Sequence, residues 1–117
     1  DATVAEAISG LLAAQGHRVT HVGNGFLALS EAMAGHFDVA LLDLDLPGVD
    51  GLELVRMLRG QGFGRPVLAV TARADIDAES QARRAGFDGF LRKPVTGGML
   101  ADALRAALAA RAAAPGD

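Results

Sequence analysis

Asp43 and Asp45 stand two residues apart at the end of an apolar run, Val39-Ala-Leu-Leu42, and are followed by Pro47-Gly48 and Asp50-Gly51. An unbroken apolar run reads as a strand covered on both faces of a parallel sheet, and open α/β sheets bind ligands at the carboxyl ends of such strands. A second run, Pro66-Val-Leu-Ala-Val70, stops at a hydroxyl, Thr71, and a third segment, Phe87-Asp-Gly-Phe-Leu-Arg92, stops at a cation, Lys93. Taken singly, each has a plain structural explanation: an acid capping a strand, a threonine ending one, a solvated lysine before Pro94. Brought to one edge they supply an anion, a hydroxyl donor and a fixed cation. That set suits a phosphoryl group carried on a carboxylate. Asp43 would be the nucleophile, Lys93 and Thr71 would bind the phosphoryl oxygens, and a divalent ion would neutralise the charge spread over them.

The elements that must position these residues alternate. Val4, Ala7, Ile8, Leu11 and Leu12 recur at helical spacing, with Gly16 where a left-handed cap belongs, so a helix is expected over about 3–15. Arg18-Val-Thr-His-Val22 alternates and runs into Gly-Asn-Gly, the pattern of a short strand. Leu27, Leu29, Ala32 and Met33 mark a second helix closed by Gly35, and Leu52, Val55, Met57 and Leu58 a third, ended by Gly60, Gly62 and Gly64. A polar helix is expected over 75–85, stopped by Gly86. Thr96 is placed to N-cap a last helix carrying Leu100, Ala103, Leu104, Ala107 and Leu108, and 112–117 reads as a frayed tail. Strands alternating with helices of this length imply right-handed βαβ units, hence an α/β fold with helices on both faces of a parallel sheet.

The 117 residues suffice for one domain. A net charge of -3 with dispersed basic residues argues against direct nucleic-acid binding. The absence of cysteine excludes disulfides and thiolate metal sites, and no apolar run is long enough to cross a membrane. The expected location is the cytoplasm, with no membrane contact by this segment. The chain does not open with Met. Asp1 therefore reads as a boundary within a longer chain.

Along essentially its whole length the chain resembles the receiver domains of two-component response regulators. The residues that carry the resemblance are Leu41-Leu-Asp-Leu-Asp-Leu-Pro-Gly-Val-Asp-Gly51, Val70-Thr-Ala72, Ala85-Gly-Phe-Asp-Gly-Phe90 and Lys93-Pro94. The resemblance implies a flavodoxin-like doubly wound parallel sheet of strand order 2-1-3-4-5 and a phosphoryl group passed from a phosphohistidine to Asp43. It makes Thr71 the switch hydroxyl, Phe90 the rotating aromatic position, Lys93 the site lysine and Lys93-Pro94 a cis peptide bond. Asp45 would lend a metal its backbone carbonyl, and Asp45 and Arg73 would line the water route that sets phosphoryl lifetime. The chain departs from the pattern at its start, where an apolar strand ending in two adjacent acids is expected and neither is present. Magnesium or manganese would then be left with Asp43, the Asp45 carbonyl and, after a slip of one residue, Asp1. The domain is accordingly expected to be N-terminally incomplete, with the central strand supplied from upstream or by another chain.

The implied partners are a histidine kinase or a histidine phosphotransfer domain, with a homodimer through the last two helices as a further expectation. The texture of Asp75-Ile-Asp-Ala-Glu-Ser80 and of Phe90-Leu-Arg-Lys-Pro94 is similar to receivers fused behind sensor kinases, in which case the parent would be a hybrid histidine kinase and membrane-anchored. A free-standing or DNA-binding regulator, and a receiver serving as an unphosphorylated interaction module, are the alternatives. From a different class, Asp43-Leu-Asp45 also resembles the acid pair of haloacid-dehalogenase-type phosphatases. Those enzymes carry the pair on their first strand and need a later acidic motif, whereas here only a helix follows Lys93.

Overall fold

Three parallel strands, β1 (Ala40–Asp43), β2 (Val67–Thr71) and β3 (Gly89–Arg92), lie side by side in chain order. The computed structural model describes residues 2–46, 50–73 and 75–113. Among the described residues five helices surround the sheet: α1 (Ala2–Ala14), α2 (Gly25–Ala34), α3 (Gly51–Gly60), α4 (Ile76–Ala85) and α5 (Gly97–Ala113). The starts of α2, α3 and α5 follow capping chemistry, because side-chain oxygens satisfy amides that a first turn leaves unpaired. Asn24 Oδ1 accepts from the N–H of Phe26 and Leu27, Asp50 Oδ1 from those of Leu52 and Glu53, and Thr96 Oγ1 from that of Met99. Gly16 and Gly86 follow α1 and α4 with φ of 90° and 129°, a region that favours glycine. The expected turn at Pro47-Gly48 and the expected tail beyond residue 113 lie outside the described residues; 112 and 113 belong to α5.

Strand β2 is the axis of the core, buried at every residue. Its side chains alternate between faces. Val67 and Ala69 join Val55, Leu58, Ala82 and Phe87 under α3 and α4, and Leu68 and Val70 join Leu12, Leu91, Leu100 and Leu104 under α1 and α5. The two helices that connect the strands, α3 and α4, thus cover one face, and the flanking α1 and α5 cover the other.

At the amino ends of β2 and β3 a polar hub fixes the register. The Asp88 carboxylate accepts from Arg59 Nη2 at 2.7 Å, from the Val67 N–H at 2.9 Å and from Arg111 Nε at 2.8 Å. Arg59 also donates to the carbonyls of Phe63, Arg65 and Gly86, so one guanidinium ties α3 to both strand starts. Burial pulls the Arg59 pKa below its ordinary value, and the nearby Arg111 charge adds to this.

Two expectations are corrected. Residues 17–22 form no strand, and residues 17–21 are exposed. A strand persists only where its amides and carbonyls find partners, and among the described residues no strand lies between this segment and β1. For the same reason β1 is half-buried at all of its residues instead of enclosed. An open cavity of about 1080 Å³ lies between α1, the 16–25 segment, α2 and the free side of β1. Helix α2 buries no residue, and Phe26 is 82% exposed.

Candidate functional site

The parallel register brings the carboxyl ends of the strands level. Asp43 pairs with Val70 and Thr71 with Arg92, and the Lys93 N–H donates to the Thr71 carbonyl at 2.9 Å. The acid, hydroxyl and ammonium expected to share an edge therefore do so. Lys93 Nζ donates to both Asp43 oxygens, at 3.1 Å to Oδ1 and 3.0 Å to Oδ2, and lies 3.1 Å from Asp45 Oδ2. The side chains of Asp43 and Lys93 are 17% and 14% exposed, screened enough for the pair to matter and still open to solvent. The Lys93–Pro94 bond is cis.

Thr71 is fully buried apart from this edge, at 0% exposure, and its hydroxyl donates to Asp45 Oδ1 at 2.6 Å. The Ala72 N–H donates to Asp45 Oδ2 at 2.7 Å, and the Arg73 N–H donates to Thr71 Oγ1 at 3.1 Å. Burial by itself would raise the Asp45 pKa, but donation from Thr71, Ala72 and Lys93 holds it below the ordinary 3.8. Burial would likewise lower that of Lys93, and the two carboxylates hold it above 10.5. The Asp45 N–H in turn donates to Asp43 Oδ1 at 2.9 Å, which folds the two acids back over one another.

The contacts of the Asp45 carboxylate with the Thr71 hydroxyl and the Ala72 amide are what sequence reasoning missed. The Asp45 carbonyl was expected at a metal and its side chain along the water route, whereas that side chain fills the space between the donors. The signal available was the spacing: an acid two residues past Asp43 in a tight turn swings back toward the edge it has just left. Arg73 is not brought to the same place. Its guanidinium grips Asp75 in a two-pronged pair at 3.1 and 2.7 Å on the exposed rim, so only Asp45 of the two faces the donors. Phe90 is half-buried and packs against the core under α3 and α4. A pocket of about 470 Å³ lies beside Thr71, lined by Leu44, Asp50, Leu52, Arg73, Ala78 and Gln81.

Magnesium takes six oxygens in near-octahedral geometry, and among the described residues no group of three His, Cys, Asp or Glu could hold a metal. Asp43 is engaged by Lys93, Asp45 is turned to its own donors, and Asp1 lies outside the described residues. The residues described do not make up a magnesium site by themselves.

A family model described as the response regulator receiver domain matches residues 1–105. The chain is 41% identical over 83 residues to the two-component response regulator PhoP of Pseudomonas aeruginosa, covering 71% of this chain and 37% of that protein. A putative response regulator from Chloroflexus aurantiacus superposes with a TM-score of 0.86 at 32% identity, over 93% of this chain and 91% of that one. The receiver domain of the sensor histidine kinase PA1611 of Pseudomonas aeruginosa, solved with magnesium in its active-site cleft, superposes at 0.83 with 29% identity, over 93% and 91%. The chain spans less than half the length of the curated transcriptional regulators it matches.

Proposed function

The chain belongs to the response regulator receiver-domain family of two-component systems, and from that premise we propose that Asp43 accepts a phosphoryl group from the phosphohistidine of a kinase or phosphotransfer partner. The observation that carries this is the contact of Lys93 with both Asp43 oxygens, beside the Thr71 hydroxyl and the Ala72 N–H. A carboxylate oxygen of Asp43 forms the new bond to phosphorus as the P–N bond breaks, and the electron pair of that bond stays on the imidazole nitrogen. Lys93, Thr71 and the Ala72 N–H then take the phosphoryl oxygens, which are more negative in the product than a carboxylate. Thr71 turns toward them. Phe90 follows into the space beside it, and the face of α4, β3 and α5 changes shape.

Transcriptional regulators among the curated relatives support an output through DNA binding elsewhere in the whole protein. The likeness to the PA1611 receiver supports a second reading, a receiver within a hybrid kinase. Ile76, 93% exposed at the start of α4, is an apolar group the output face would cover in a partner or a second copy.

Incubation with acetyl phosphate, followed by intact mass, tests the assignment. Addition of one phosphoryl group to the wild type and none to Asp43→Asn supports it, because an amide is not a nucleophile. Repeated turnover of phosphate esters would instead mark a phosphatase, and no reaction an interaction module.

A further inference from the structure

The carboxylate of Asp45 occupies the donor set that the transferred phosphoryl group would use. Its Oδ1 accepts from the Thr71 hydroxyl at 2.6 Å, and its Oδ2 accepts from the Ala72 N–H at 2.7 Å and faces Lys93 Nζ at 3.1 Å. We propose that Asp45 is an internal ligand of the phosphoryl site, holding Thr71, Ala72 and Lys93 in the resting domain and leaving them before Asp43 is phosphorylated. The proposal rests on the phosphoacceptor reading of Asp43 and adds a gate to it.

Geometry and charge both support the gate. A carboxylate is planar with two oxygens, a phosphoryl group has three, and the donors that Asp45 spans are a hydroxyl, an amide and an ammonium on two strand ends. A hydroxyl and an ammonium can rotate to serve other acceptors, but the Ala72 N–H is fixed by the backbone and already carries a short bond to Asp45. A phosphoryl oxygen cannot use that amide until the carboxylate has gone. The edge also holds the carboxylates of Asp43 and Asp45 against the ammonium of Lys93, so the incoming group, itself anionic, meets a site already negative. Removing Asp45 would free the donors and leave one carboxylate facing one ammonium. The Asp45 N–H bond to Asp43 Oδ1 comes from the backbone and survives substitution of the side chain.

The probe is acetyl phosphate: an Asp43 oxygen forms the bond to phosphorus, the bridging P–O bond breaks, and acetate leaves with its electron pair. Initial rates of phosphoprotein formation would be read by intact mass for the wild type, Asp45→Asn and Asp45→Ala, with circular dichroism to show that the variants fold. The amide-proton shift of Ala72 would be followed in the same proteins by NMR. The proposal expects both variants to phosphorylate at least about tenfold faster than the wild type, the scale of one charge-assisted hydrogen bond released before the transition state. It also expects the Ala72 amide to move upfield in Asp45→Ala as its acceptor is lost. Folded variants that react no faster than the wild type, or an Ala72 amide that does not move, would overturn the gate and leave Asp43 as acceptor. If the wild type and both variants all fail to react, the phosphoacceptor reading falls and the gate with it.

Discussion

Lys93 holds Asp43 by both carboxylate oxygens, at 3.1 and 3.0 Å, although 50 residues separate them in the chain. The contact exists because two βα units carry the lysine from β1 to the far side of β2 and the parallel register then levels the strand ends. It also sets the electrostatics of the whole edge, since the same ammonium faces Asp45.

Lys93→Met leaves those two carboxylates without their cation. Destabilisation by about 1.5–3 kcal/mol is expected, the range for hydrogen bonds to charged groups, together with loss of phosphorylation from acetyl phosphate. The pH dependence has a defined sign. Lys93 is held above 10.5, so its stabilising contribution is complete below that value and is lost only as pH climbs through the raised pKa. Asp45 is held below 3.8, so its contribution is complete above that value and is lost as pH falls through the lowered one. Urea denaturation should therefore show a wild-type minus Lys93→Met difference that is flat between these limits and shrinks in acid. A difference that grows on acidification would contradict the assignment.

Asp88→Ala should destabilise the domain more than any rim substitution. It removes the acceptor of the buried Val67 N–H and leaves Arg59 and Arg111 facing one another without their shared anion. A loss of about 2–4 kcal/mol is expected from stranding a partly buried charge and amide. Arg73→Ala, which breaks an exposed pair with Asp75 that water and salt screen, should leave the urea midpoint close to that of the wild type. Equal midpoints for the two variants in urea would refute the role given to the hub.

The free side of β1 predicts an alternation in amide exchange. The N–H groups of Ala40 and Leu44 donate across to the carbonyls of Pro66 and Val70, so those of Leu41 and Asp43 point the other way, toward the open cavity. In the 117-residue chain Leu41 and Asp43 should exchange at least about tenfold faster than Leu42. Equal protection of all three amides would show that a strand, from this chain or a second copy, pairs there.

Much of this was legible in the residues. The βαβ order followed from apolar runs that stop at Asp43 and Thr71, and the start of the last helix from Thr96, because these signals are local. Arg18 to Val22 shows the limit: alternation marks a segment able to be a strand, but pairing is a tertiary event, and without a neighbour the segment stays in water. The contacts of the Asp45 carboxylate and the hub role of Asp88 were hidden for a related reason. Each acid takes its role from partners more than twenty residues away, and no spacing in the chain announces where a side chain in a turn will point.

Transfer from a phosphorylated histidine phosphotransfer domain, with the site located by peptide mass, tests the central assignment most directly. The prediction is a single acyl phosphate on the peptide containing Asp43, sensitive to hydroxylamine and absent from Asp43→Asn. Phosphorylation of Asp43→Asn at the wild-type rate, or a phosphoryl group mapped to any other residue, would contradict it.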